Sequence, residues 1–189
     1  QAGLYAVYTG KDPEGKLNPM PCAWLIPDSD LTVPTYTAMA TDKVRFAGDA
    51  VAIVLAEDAF VARDGVNTID VDYEPLPVVT NQEAALAEGA PQLYENIPHN
   101  QAFHWKFRNG DADGALQRAE VRLKQRFIQQ RLVPNAMEPR SSVADWNAGA
   151  GELTLYNTTQ NPHIVRFLIS VTQNIPEHKI RVIARDVGG

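Results

Sequence analysis

The period of the hydrophobic positions changes several times along the chain, and each change predicts an element. Leu4-Tyr5-Ala6-Val7-Tyr8 reads as a short strand that stops at the turn signal Thr9-Gly10-Lys11-Asp12. Residues 13–34 carry Pro13, Pro19, Pro21, Pro27 and Pro34 with little periodicity, which predicts a long irregular loop of the kind that sits at interfaces. Two strand-like runs, Val44-Arg45-Phe46 and Ala50 to Leu55, flank Ala47-Gly48-Asp49 and predict a hairpin. Glu57 and Asp58 then precede residues 59–68, where carboxylates favour the positive end of a helix, although Gly65 weakens it. Ile69 to Tyr73 alternates at period two until Glu74-Pro75-Leu76-Pro77 stops it. Strand, hairpin, helix and strand make one small α/β unit.

Residues 80–101 mix a helical pattern, Glu83 to Ala87, with Gly89, Pro91 and Pro98, the composition of a connector. The expected division is therefore 1–80, a connector 81–101, and 102–189, with α+β as the overall class. In the second part Phe103, Trp105 and Phe107 alternate as a strand, Asp111 can cap a helix from Ala112 to Arg118, and Val121, Leu123 and Gln125-Arg126-Phe127 continue as another strand. Val143 to Trp146 and Glu152 to Tyr156 flank the small-residue loop 147–151 as a hairpin. Asn161 can cap a helix with Pro162 in its first turn, and Ile164, Phe167, Leu168 and Val171 give that helix one apolar face. Asn174-Ile175-Pro176-Glu177 ends it, and Ile180 to Ala184 returns as a strand aimed at Gly188-Gly189.

Composition narrows the function classes. The chain has 189 residues and 44% hydrophobic content, enough for one core and a smaller second one. With 17 Lys and Arg against 23 Asp and Glu, the formal charge of -6 disfavours nucleic acid and anionic membranes. No apolar run reaches membrane-spanning length, and residues 1–20 lack a signal-peptide pattern, so a soluble cytoplasmic protein is expected. Cys22, the single cysteine, forms no intrachain disulfide and reads as a buried or loop thiol in a reducing compartment. Both ends look cut: an apolar strand begins almost at once, and the last residues are glycines where a turn or ligand loop should continue. A piece of a longer polypeptide is the expectation.

The chemistry search returns mostly negatives: no phosphate-loop pattern, no paired cysteines and no histidine pair at helical spacing. His99, His104, His163 and His178 are scattered and read as surface or capping residues. Asp70, Asp72 and Glu74 fit a solvated strand face. Two places stand apart. Thr158-Thr159-Gln160-Asn161-Pro162 links a strong strand to a strong helix, so Gln160 can present an amide to a ligand from a rigid support, or the run can simply cap the helix. Val187-Gly188-Gly189 follows a strand and lets a ligand approach backbone N–H groups.

Four segments, in this order, resemble the large subunit of the molybdenum hydroxylases, the xanthine oxidase, aldehyde oxidase and carbon monoxide dehydrogenase family. They are Val44 to Val51, Val71-Asp72-Tyr73-Glu74-Pro75-Leu76-Pro77, Arg131 to Arg140 with Met137-Glu138-Pro139-Arg140, and Thr159-Gln160-Asn161-Pro162-His163 with Asp186-Val187-Gly188-Gly189 downstream. The likeness is greatest to the carbon monoxide dehydrogenase branch. It implies an α/β hammerhead domain up to about residue 80, followed by the beginning of a molybdopterin-binding domain.

The same resemblance implies a catalytic role for Gln160, whose amide would hydrogen-bond an oxo ligand beside the molybdenum, and a cofactor-binding role for Gly188 and Gly189 as the opening of a Gly-Gly-Phe-Gly loop. No residue here is implied as a direct metal ligand. The family's active-site loop and late catalytic glutamate fall beyond residue 189, and Cys22 is not the cysteine of that loop. Glu138 and Arg140 are read as structural. The cofactor implied is molybdopterin, in its cytosine dinucleotide form, with molybdenum. Iron-sulfur and flavin subunits would take the electrons from a small-molecule substrate in a dimer of heterotrimers, with FAD and the clusters on those partners. The chain alone is expected to be inactive. The competing expectation is a non-catalytic module for subunit docking or assembly.

Overall fold

Two small sheets organise the chain, and one helix packs against each. The computed structural model describes residues 2–12, 16–24 and 26–187; Pro13 of the predicted loop and the terminal Gly188 and Gly189 lie outside them. In the first sheet β1 (Leu4–Thr9) pairs antiparallel with β2 (Ala52–Ala56), from Thr9 opposite Ala52 to Ala6 opposite Leu55, with an irregularity between Leu4 and Ala6. Helix α1 (Ala59–Asn67) packs on this pair. The Asp58 carboxylate accepts from the N–H groups of Phe60 and Val61, both at 2.8 Å, and so caps α1 as its position predicts. Gly65, unfavourable for helix propensity, has a packing reason. It is buried, and a Cβ there would lie 2.8 Å from Leu4 Cδ1 and 2.9 Å from Val54 Cγ1.

The predicted hairpin of Val44-Arg45-Phe46 with residues 50–55 does not form. The reversal is present, since Asp49 N–H donates to the Phe46 carbonyl at 3.2 Å and Gly48 has φ of +94°. The incoming arm goes elsewhere. Arg45 Nε donates to the Leu93 carbonyl at 3.0 Å, its guanidinium lies 4.7 Å over the Tyr94 ring, and Lys43 pairs with Glu95. β2 takes β1 as its partner instead.

Residues 16–24 and 26–50 act as a strap. Met20 N–H donates to the Tyr36 carbonyl, Thr32 N–H to that of Ala102, and Ala40 N–H to that of Ala50, each at 2.8 Å. Gly10 is buried under the strap, and a Cβ on it would meet the Ala40 carbonyl oxygen at 2.0 Å. Met39 and Ile97 are buried, as is Ala85 in the short helix α2 (Gln82–Ala85), capped by Asn81.

Three expected strands form no ladder: Ile69 to Tyr73, Phe103 to Phe107, and Val121 to Phe127. Strand-forming sequence needs a neighbouring backbone to pair with, and none of the described residues supplies one. At 102–104 the strap supplies single bonds instead, with Asp30 accepting from His104 N–H at 2.6 Å and Trp24 edge-on to Phe103 at 5.1 Å. Residues 121–137 are exposed throughout, Leu123 to 91% and Met137 to 99%, with Arg126 reaching Glu83 Oε2 at 3.0 Å. Helix α3 (Ala112–Arg118) precedes this stretch and is capped as predicted, Asp111 accepting from Gly114 N–H at 2.9 Å.

The second sheet has the order β3-β4-β5. β3 (Ser142–Asn147) and β4 (Glu152–Asn157) form the predicted hairpin, in unbroken register from Ser142 opposite Asn157 to Asn147 opposite Glu152. Helix α4 (Pro162–Gln173) then crosses over to β5 (Ile180–Ile183), which runs parallel to β4 with Leu155 opposite Val182. Leu155 and Ile180 are buried between them. Asn174, left-handed with φ of 57°, ends α4 where the sequence places its stop. Among the described residues no helix is long and apolar enough to cross a membrane.

Gly10→Ala is expected to destabilise the chain by about 2 kcal/mol or more, because the obstructing atom is backbone oxygen and overpacking costs about 1–3 kcal/mol. Gly65→Ala should cost less, since the Leu4 side chain can shift. Urea unfolding midpoints of the two variants rank the sites. Acid supplies a further check. The Lys43 ammonium, bonded to Glu95, holds that carboxyl below the ordinary glutamate range. The stability it contributes is therefore present above the ordinary carboxyl pKa and lost as pH falls through the lowered value. An NMR titration should show Glu95 moving back up in Lys43→Met.

Candidate functional site

The candidate site lies at one edge of the second sheet. Because β4 and β5 are parallel, their carboxyl ends face the same way, and the antiparallel β3 begins there. Ser141, Ser142, Asn157, Thr158 and the loop to α4 therefore share this edge with residues 184–187, which leave β5. In parallel α/β sheets this is the side on which ligands bind, outside the carboxyl ends of the strands.

Polar side chains at the edge lock one another. Thr158 N–H donates to the Ser141 carbonyl at 3.0 Å, the two hydroxyls lie 3.3 Å apart, and Ser142 Oγ donates to Asn157 Oδ1 at 2.6 Å. Thr159 Oγ1 accepts from Asn161 N–H at 3.1 Å, which fixes the turn that carries Gln160. Sequence reasoning named Thr158 and Thr159 only as part of the polar run and passed over the serines. The signal was available: the hairpin register sets Ser142 opposite Asn157.

Gln160 is exposed at the centre of this loop, and among the described residues its amide has no hydrogen-bond partner. The expectation that Asn161 caps α4 is corrected: its side chain makes no cap bond, its own N–H being turned to Thr159. Pro162 brings no N–H to the first turn. The first-turn N–H groups of α4 therefore stand without a side-chain acceptor, beside an uncommitted amide. Such donors suit an acceptor oxygen on a ligand, at the positive end of a helix.

Gly188 and Gly189 lie outside the described residues. Cys22 donates its thiol to the Trp24 carbonyl at 3.1 Å within the strap. Asp70, Asp72 and Glu74 are exposed, but so are Val71 and Tyr73 between them, and with no strand there the expected solvated face is absent. His99 sits in a short 3-10 turn (Pro98–Asn100), and His163 and His178 are exposed on or beside helices. Among the described residues no group of three or more His, Cys, Asp and Glu side chains is placed to hold a metal ion.

Comparison with known families says to which class the chain belongs. Residues 93–189 match the molybdopterin cofactor-binding domain, and residues 1–77 match the a/b hammerhead domain of aldehyde oxidase and xanthine dehydrogenase. The chain belongs to that family of molybdopterin-binding large subunits. It is 36% identical to the carbon monoxide dehydrogenase large chain of Afipia carboxidovorans, over 99% of this chain and 24% of that protein. It is 30% identical to the nicotinate dehydrogenase large molybdopterin subunit of Eubacterium barkeri, over 80% of this chain and 35% of that protein. Its structure superposes on a Cu,Mo-CO dehydrogenase in the carbon monoxide reduced state with a TM-score of 0.84 and 34% identity, covering 100% of this chain and 24% of that one. The chain thus spans about a quarter of the length of the first of these relatives.

The two helix starts make opposite predictions. Asp58→Ala should cost about 1 kcal/mol, the usual effect of losing a side-chain cap. Asn161→Ala should stay within about 0.5 kcal/mol, as surface changes do away from specific contacts. Denaturant unfolding of both variants measures the difference.

Proposed function

We propose that this chain is part of the catalytic large subunit of a molybdenum-dependent hydroxylase or dehydrogenase, of the carbon monoxide dehydrogenase type, and that it is not active alone. The observation carrying the reading is Gln160: an amide without a partner, fixed between β4 and α4 at the carboxyl edge of a parallel strand pair. The site's donor chemistry fits the proposed group. Amides and backbone N–H groups donate to an oxygen acceptor without replacing the cofactor's own hold on a metal.

The cofactor proposed is molybdopterin with molybdenum, in the cytosine dinucleotide form, and when bound it supplies the redox chemistry by which a small substrate gains a water-derived oxygen. The chain's own residues bind and orient. Gln160 would donate its amide N–H toward the cofactor's acceptor atom, and its neutrality leaves the charge of the site unaltered. Thr159 holds the turn, and Ser141 and Thr158 hold the strand ends behind it. Gly188 and Gly189 would bring backbone N–H groups to the cofactor, since glycine lets a ligand approach the main chain closely. The 1–80, 81–101 and 102–189 division belongs to this proposal, as hammerhead, connector and first part of the cofactor-binding domain.

Electrons would leave through iron-sulfur and FAD-bearing partner subunits, in a cytoplasmic assembly proposed as a dimer of heterotrimers. Carbon monoxide, an aldehyde and an N-heterocycle are the substrate classes in view. The uncovered residues 121–137 favour a second reading, a docking or assembly module, and one experiment separates the two. Gln160→Ala in the intact enzyme is expected to lower turnover about 10²–10³-fold, the usual effect of losing one preorganised donor, with subunit assembly and folding preserved. Unchanged turnover would remove Gln160 from the mechanism, and a loss of assembly in its place would favour the docking module.

A further inference from the structure

The strap reaches the far end of the helix that follows Gln160. Asn18 N–H donates to the Thr172 carbonyl at 2.9 Å, and Asn18 Nδ2 donates to the Val171 carbonyl at 2.7 Å and to Asn174 Oδ1 at 3.0 Å. These acceptors belong to the last turn of α4 and its left-handed cap, where helix carbonyls have no partners of their own. The last turn of α4 holds no basic side chain to serve them. A single residue more than 150 positions earlier serves them instead. The strap is itself anchored two residues on, where Met20 N–H meets the Tyr36 carbonyl.

Helix α4 is about 18 Å long at 1.5 Å per residue, and its first residue, Pro162, follows Gln160 by two positions. A helix transmits an axial shift from end to end because its hydrogen-bonded turns resist extension. Along its length α4 is otherwise held by β5 and by Arg166 Nε on Glu177 Oε2 at 3.1 Å, a partner only 11 residues away. Among the described residues, Asn18 provides the hydrogen bonds that tie α4 to the strap.

We infer that Asn18 is a positioning residue: by pinning the carboxyl end of α4 it sets the axial place and rotation at which the Thr159–Asn161 turn presents the Gln160 amide. The inference rests on the reading of Gln160 proposed above. Misplacement of about 1 Å at a reacting centre costs about 10²-fold in rate, so a clamp remote from the chemistry has a measurable effect. A purely structural cap would alter stability and nothing at the other end of the helix.

The test uses the full-length subunit in its assembled complex, with Asn18→Ala and with Asn18→Asp, which keeps the shape of the side chain but not its donors. Two readouts are taken: steady-state kinetics of the loaded enzyme, and amide hydrogen exchange of the cofactor-free protein. Both variants should lower kcat at least about tenfold with KM within about twofold, and Asn18→Gln, which retains the amide, should recover part of the loss. Exchange should speed up at residues 171–174 and also at 159–163. Faster exchange at 171–174 alone, with kcat unchanged, overturns the inference and leaves Asn18 a local cap. Should Asn18→Ala fail to assemble, Asn18→Asp carries the same two outcomes. If Gln160→Ala leaves turnover intact, the proposed role of Gln160 fails, whereas the exchange at 159–163 still decides whether Asn18 controls that turn.

Discussion

The parallel pairing of β4 with β5 is the constraint on which the site depends. Two parallel neighbours cannot be joined by a tight turn, so the chain must cross back along the sheet, and α4 is that crossover. It packs on β5, and Leu155 and Ile180 are buried in the sheet, while Ile164 and Phe167 of the expected apolar face are exposed. The consequence is geometric: the end of β4, the start of α4 and the end of β5 all meet at one edge. An antiparallel β5 would have placed residues 184–187 at the opposite edge, away from Gln160.

Neutral hydrogen-bonding groups surround Gln160 at this edge, with the charged Arg185 and Asp186 on the segment leaving β5. Hydroxyls and amides of Ser141, Ser142, Asn157, Thr158 and Thr159 bond to one another or to the backbone, which leaves the turn rigid without burying charge. Rigidity matters because a donor aimed in advance pays no reorganisation cost when its acceptor arrives. The hydrogen bond from Asn161 N–H to Thr159 shapes the turn, and the Asn161 side chain makes no cap bond to the helix end.

Much of this was legible in the residues. The β3-β4 hairpin, α4 with its stop at Asn174, the Asp58 and Asp111 caps and β5 all follow from local patterns, and local patterns decide elements whose partners are close in sequence. The failures share one cause. Val44-Arg45-Phe46, Ile69 to Tyr73, Phe103 to Phe107 and Val121 to Phe127 have strand composition, but a strand exists only when another backbone lies beside it. Arg45 was drawn to Tyr94 and Leu93, and Phe103 to Trp24, by contacts whose sequence separation no window spans. Asn18 was invisible for the same reason. The position of Gln160 was readable because it needs only its flanking strand and helix, whereas its chemistry came from resemblance to a family.

The span between Asn18 and Val171, 153 residues, also orders events in time. Closing so long a loop costs entropy that only finished elements offset, and non-local contacts of this kind form late. The strap leaves the ribosome early but has nothing to grip until α4 has been made and folded. It waits, tethered through its shorter-range bonds to the Tyr36 and Ala50 regions, until the last turn of α4 is there to receive Asn18.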